Sequence, residues 1–185
     1  YAAVYDTDEN YLQDLSVDWV SSGDLDAVSA GSSTSFTFSP TTGPTSGQIW
    51  ITSGSLTSDV TGTITVNSGA QSYLKIRDQS GGEGAEVGDV TMTTDESFIL
   101  YAAVYDADDN YLEDLSSVWF SSGLDPVTET GIFVNFSPFT ANTVGTITVT
   151  SPGLISDATG TITVTGGAQA YLKIRYQSDG GGNEV

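Results

Sequence analysis

Asp6, Asp8 and Asn10 set three oxygen-bearing side chains at alternating positions, and Asp106, Asp108 and Asn110 repeat the arrangement 100 residues later. Side chains of this kind at this spacing suit a hard cation such as Ca²⁺, which takes roughly six to eight oxygen ligands. The match to an EF-hand loop fails at Tyr11, where the glycine would fall, and at Val17, where the bidentate glutamate would fall. A second acidic set, Glu83, Glu86 and Asp89, lies in a glycine-rich stretch. A cation shared between that stretch and a neighbouring acidic turn would stiffen a junction. Asp and Asn also build hairpin turns through hydrogen bonds to their own backbone, so the pattern fits either role.

Other chemistries are excluded by composition. The 185 residues contain no cysteine and no histidine, which removes Ser-His-Asp and Cys-His nucleophiles, a disulfide framework and the usual zinc sites. A pair of carboxylates could still hydrolyse glycosides, but the acids fall mostly in expected turns, and a repeat would duplicate the active site in every copy. With 24 Asp and Glu against four Lys and Arg, the formal charge is −20, so nucleic acid and anionic lipid surfaces are repelled. The longest strongly apolar stretch, Phe98–Tyr105, has eight residues, against about 20 for a membrane-spanning helix. No basic and apolar leader stands at Tyr1, so the expectation is a chain that starts in mid-protein, with any secretion signal outside it.

The elements that must position these residues repeat. YAAVYDTDENYLQDLSVDW at Tyr1–Trp19 returns as YAAVYDADDNYLEDLSSVW at Tyr101–Trp119, an offset of 100. SDVTGTITV at Ser58–Val66 returns at Ser156–Val164, and GAQSYLKIRDQS at Gly69–Ser80 returns at Gly167–Ser178, both at an offset of 98. The two-residue difference falls between Gly23 and Pro40, where the copies also diverge most. Within a period, Ile and Val alternate with Thr in the TITV segments, and Leu74 and Ile76 alternate with Lys75 and Arg77. Alternation of period two is the mark of strands with one buried face. FILYAAVY suits a central strand. Segments at Tyr73, Val90, Phe98, Leu115, Ile132, Gly145 and Thr159 give about seven strands in a period. The predicted fold class is therefore all-β, as tandem immunoglobulin-like β-sandwiches, with Trp19 and Trp119 between the sheets.

YDADDNYLEDLSSVW, SDATGTITVTGGAQ and the YLKIR restart, in that order, resemble the tandem bacterial immunoglobulin-like (Big-type) domains of large secreted surface proteins and adhesins. The resemblance covers the whole chain. It implies a rigid, extracellular, non-enzymatic spacer or adhesive repeat at the surface of a bacterium, and carries no shared ligand or catalytic residue. The glycine of that family's hairpin turn is replaced by Glu9 and Asp109.

The expected organisation is an incomplete domain at 1–68 lacking its first strands, a complete one at 69–166, and the first strand of a following repeat at 167–185. A junction as short as Asn67–Gln71 cannot act as a flexible coil, so successive sandwiches should stack into a rod. The counterpart of Gly88–Leu100 is all that separates this chain from two whole periods. Two assemblies fit: a longer continuous chain of repeats, or copies joined head to tail when one gives its last strand to the next copy's incomplete sandwich. The partners expected are thus neighbouring copies or repeats of the same protein. An alternative is a carbohydrate- or protein-binding adhesion module that uses Tyr11 and Tyr111.

Overall fold

The computed structural model describes residues 1–28 and 31–177. The chain forms two compact units, residues 1–73 with 104–113, and residues 74–103 with 114 onward. It is all-β, with several sheets and no helix among the described residues.

In the first period the strands are β1 (Ala3–Tyr5), β2 (Tyr11–Asp14), β3 (Asp18–Ser21), β4 (Thr45–Gly47), β5 (Ile49–Thr52), β6 (Asp59–Val60) and β7 (Ile64–Val66). They make the antiparallel hairpin β1–β2, a sheet in the order β3–β5–β6, and the pair β4–β7. From Tyr73 onward follow β8 (Tyr73–Arg77), β9 (Val90–Thr93), β10 (Phe98–Tyr105), β11 (Tyr111–Asp114), β12 (Ser117–Ser122), β13 (Thr128–Gly131), β14 (Phe133–Phe136), β15 (Thr143–Thr150), β16 (Asp157–Ala158) and β17 (Ile162–Thr165).

FILYAAVY is the central strand its apolar run predicts: β10 pairs with β8, β11 and β14. A second sheet runs β13–β12–β15–β17–β9, with β16 also on β15. Its pairings are antiparallel except for β17 with β9, which is parallel from Ile162 opposite Val90 to Thr165 opposite Thr93. Ten strands between Tyr73 and Thr165 exceed the seven expected. The Leu115 segment splits into β11 and β12, which join different sheets, and β13 and β16 lack the apolar alternation that marks a strand in sequence.

Alternation selects the core. Leu74, Ile76, Ile147 and Val149 are buried, while Lys75, Arg77 and Thr148 between them remain partly exposed. Trp119 is fully buried, and its indole Nε1 donates to the Gly131 carbonyl at 3.0 Å, so the ring is removed from water without an orphaned N–H. Trp19 repeats the bond to Ser33 O at 3.1 Å and packs on Phe36 with ring centroids 6.0 Å apart, yet it is only half-buried.

The difference has a simple cause. Residues 1–68 contain no counterpart of 69–100, which in the later period supplies β8, β9 and the start of β10. Strand β14 pairs with Phe98–Tyr101, and of those four only Tyr101 has a first-period equivalent, Tyr1. Phe36 and Phe38, the counterparts of Val134 and Phe136, accordingly lie outside any strand. Of the segment 167–185, residues 178–185 lie outside the described residues, and Tyr171–Ile174 form no strand.

Trp119→Ala should therefore cost about 3 to 5 kcal/mol, and Trp19→Ala less than half as much, in chemical denaturation of the whole chain. Equal losses would contradict the unequal burial.

Candidate functional site

The two acidic turns have one geometry. In the first, Asp6 N donates to Asn10 O at 3.0 Å and Glu9 N to Asp6 O at 3.2 Å, with Glu9 in the left-handed region at φ 64°. In the second, Asp106 N meets Asn110 O at 3.0 Å, Asp109 N meets Asp106 O at 3.4 Å, and Asp109 has φ 69°. A hairpin loop that closes on one left-handed residue favours glycine there. Glu9 and Asp109 adopt that conformation although each has a side chain.

The leading aspartate of each turn is an acceptor for its own loop. Asp6 Oδ1 accepts the N–H of Asp8 at 3.0 Å and of Asn10 at 2.9 Å, and the Asn10 amide donates to both carboxylate oxygens. Asp106 repeats this with Asp108 N, Asn110 N and Asn110 Nδ2, and adds the N–H of Gly69 on Oδ2 at 2.7 Å. Asp106 is buried, whereas Asp6 is exposed. The structure thus joins Asp6 to Asn10 and Asp106 to Asn110, with Asp8 and Asp108 contributing backbone N–H groups. A cation entering either turn would have to displace these donors.

The third acidic set is not brought together in this way. Glu83 is exposed, Glu86 lies 3.8 Å from Lys75 Nζ, and Asp89 Oδ1 accepts Thr161 N at 2.7 Å. Among the described residues no group of three or more acids is placed to hold a metal ion.

Hydrogen bonding sets the carboxylate acidities. Burial pushes Asp106 upward, but the Asn110 side chain and the N–H groups of Asn110, Gly69 and Asp108 outweigh it and hold the group at about 2. Asp6 is lowered by the Asn10 side chain and by the N–H groups of Asn10 and Asp8. The Asn110 amide also reaches across unit one, where Oδ1 accepts Gly43 N at 3.0 Å and Nδ2 donates to Thr41 O at 2.8 Å.

Sequence reasoning missed a second pair of clamps. Asp26 Oδ2 accepts the N–H of Thr41 at 2.6 Å and of Thr42 at 3.1 Å, and Asp125 Oδ2 accepts those of Phe139 at 2.7 Å and Thr140 at 2.8 Å. Asp26 is held at about 2 by the Thr42 and Thr41 donors. The signal was present as an aspartate kept a few residues after Gly23 and Gly123, inside the region where the copies differ in length. Asp157 was missed too. It is half-buried beside β8, where its Oδ2 accepts Ile76 N at 2.7 Å, and desolvation raises its pKa.

Tyr11 and Tyr111, the alternative binding residues, differ in surroundings. Tyr111 stands edge-on to Tyr105 at 5.8 Å, and Tyr105 in turn stacks on Tyr73 at 5.8 Å. Tyr11 meets Tyr5 in this way, at 6.0 Å, and both rings are more than half exposed. Beside Tyr5 in unit one lies an open cleft of about 840 Å³ lined by Tyr1, Tyr5, Glu9, Ile51, Thr57 and Asp59 among others.

A carboxylate with a depressed folded pKa contributes stability above its ordinary value near 4, and that contribution is lost as pH falls through its folded value. The melting temperature should therefore drop between about pH 4 and pH 2, with the Asp106 carboxyl titrating near 2 by carbon-13 NMR. Asp106→Asn should flatten that slope. A midpoint for Asp106 near 4 would mean that its donors do not hold it in solution.

No protein-family model, no curated protein and no solved structure matches this chain.

Proposed function

We propose that the chain is a stretch of a non-enzymatic, extracellular structural rod in which immunoglobulin-like sandwiches follow one another with little slack. The observation that carries this reading is the parallel pairing of β9 with β17. Strand β8 belongs to the sheet of β10, and β9, the next strand in the chain, belongs to the opposite sheet beside the last strand of the period. A chain that changes sheets in this way, with antiparallel neighbours otherwise, is consistent with a two-sheet sandwich, and it supports the immunoglobulin-like reading.

Two further features support the rod. Only residues 67–72 separate β7 from β8, too few for a coil with independent reach. The Asn110 amide, from the hairpin of the second period, binds the backbone of Thr41 and Gly43 from the first, so consecutive periods share a compact unit. Several carboxylates, among them Asp6, Asp26, Asp106 and Asp125, accept N–H groups of turns and clamps. The adhesive-module alternative is weakened at Tyr111, whose ring packs against Tyr105.

Small-angle X-ray scattering of the monomeric chain should give an elongated particle whose maximum dimension is the same in low salt and in molar salt. A dimension that varies with salt, as for lobes on a loose tether, would remove the rod.

A further inference from the structure

The sheet β13–β12–β15–β17–β9 ends at two edges, and they differ in sequence. β13, with sequence TETG, carries the exposed Glu129 within the strand. β9, with sequence VTMT, carries no charge of its own. Val and Thr favour extended backbone, and an uncharged edge of such residues is a template for another chain.

The ladder fixes which backbone groups of β9 remain to be satisfied. Val90 N donates to Thr161 O at 2.9 Å and Thr94 N to Thr165 O at 3.1 Å. Backbone N–H groups alternate in direction along a strand, so those of Thr91 and Thr93 point away from β17. That of Thr93 is taken. It donates to Glu96 Oε2 at 2.6 Å, the Thr93 hydroxyl donates to the same oxygen at 3.1 Å, and Glu96 N returns a bond to Thr93 O at 3.2 Å. The outward donor and the outward acceptor of Thr93 are thus both closed by one residue of the turn that follows the strand. The closure is a matter of bonding rather than bulk. Glu96 is exposed, and a groove of about 280 Å³ lined by Val90, Thr91, Met92, Glu96, Ser97 and Phe98 leaves the edge open to approach.

We propose that Glu96 guards this edge: its carboxylate and its N–H stand where the next strand would bond, and so keep β9 of one copy of the chain from pairing with β9 of a second copy. The occupant held off is a second copy because the edge is self-complementary. In an antiparallel two-fold pair, the outward N–H and C=O groups of Thr91 and Thr93 in one strand would meet those of Thr93 and Thr91 in the other. With Thr93 closed, Thr91 alone is left, and a single residue supports no ladder. A carboxylate suits the position, since a hydrogen bond to an ionised oxygen is about twice as strong as one between neutral groups, and a charge beside an edge opposes edge-to-edge approach. The contact lies wholly within the second compact unit, and the inference is independent of the rod.

The experiment compares the 185-residue chain with its Glu96→Ala variant by multi-angle light scattering over about a hundredfold range of concentration. The variant should form dimers at least about tenfold more tightly than the unaltered chain, because the Thr93 groups become available to a partner strand. Adding Thr91→Pro removes the other outward N–H, at a position where an edge strand tolerates proline, and should return association to that of the unaltered chain. Amide hydrogen exchange of the unaltered protein reads the guard directly. Thr93 N–H should exchange at least about tenfold more slowly than Thr91 N–H, because the carboxylate must be released first. Equal exchange at the two threonines, association of Glu96→Ala no tighter than that of the unaltered chain, or association indifferent to Thr91→Pro would overturn the inference.

Discussion

Covering the apolar face of the central strand is the constraint on which the rest of the structure depends. A strand such as FILYAAVY is apolar on both faces, and its burial requires something beside and above it. Where β8 lies alongside, Leu74, Ile76 and Tyr105 leave water, and Trp119 sits in a closed core. Where the equivalent cover is lacking, Tyr1 and Tyr5 are exposed, Trp19 is half-buried and residues 36–38 form no strand. Nearly identical sequence therefore has a covered or an uncovered core according to whether β8, β9 and the start of β10 are in place. At roughly 25 cal/mol per Å² of apolar surface, placing two aliphatic side chains and part of two tyrosine rings is worth several kcal/mol, a large share of a small domain's stability.

The acidic composition follows from how the loops are built rather than from a surface field. Asp26, Asp78, Asp89, Asp95, Asp106, Asp125 and Asp157 each accept at least one backbone N–H. A loop has more N–H groups than a ladder can satisfy, and a carboxylate that accepts two or three of them replaces a strand partner. Each such acceptor brings a negative charge, and the chain offsets few of them. Lys75 with Glu86 is a partly exposed pair at 3.8 Å, of the kind that adds little stability. In water at ordinary ionic strength the repulsion between surface carboxylates more than about 8 to 10 Å apart is screened. A charge of −20 is thus compatible with a folded chain because most of it is spread over turns.

What was legible in the sequence is what depends on near neighbours. The period itself, the inward set Leu74, Ile76, Ile147 and Val149, the central place of β10 and the buried Trp119 could all be read from repetition and alternation. The missing items depend on distance along the chain. Asp26 and Asp125 reach donors 14 to 16 residues away, and Asp157 reaches one 81 residues away. No local pattern encodes a partner that far off. β13, with sequence TETG, is a strand because β12 offers it an edge and for no reason of its own. The acidic turns were visible as turns, but which oxygen takes which N–H was not.

Asp6 and Asp106 separate these two kinds of information. One carboxylate is exposed and the other buried, yet the bonds to the second and fourth residues after it are 3.0 and 2.9 Å in both turns. The turn geometry is therefore set by its five residues and is indifferent to what surrounds it. Tyr5 and Tyr105 stand immediately before those same turns in matching strands, and their exposures are 58% and 3%. Side-chain burial is thus contributed by the neighbouring strand, not by the segment itself. In an array of such periods the hairpins would form locally, while each core would wait for a YLKIR strand. That makes the stability of one period a nearest-neighbour quantity, in the manner of other repeat proteins.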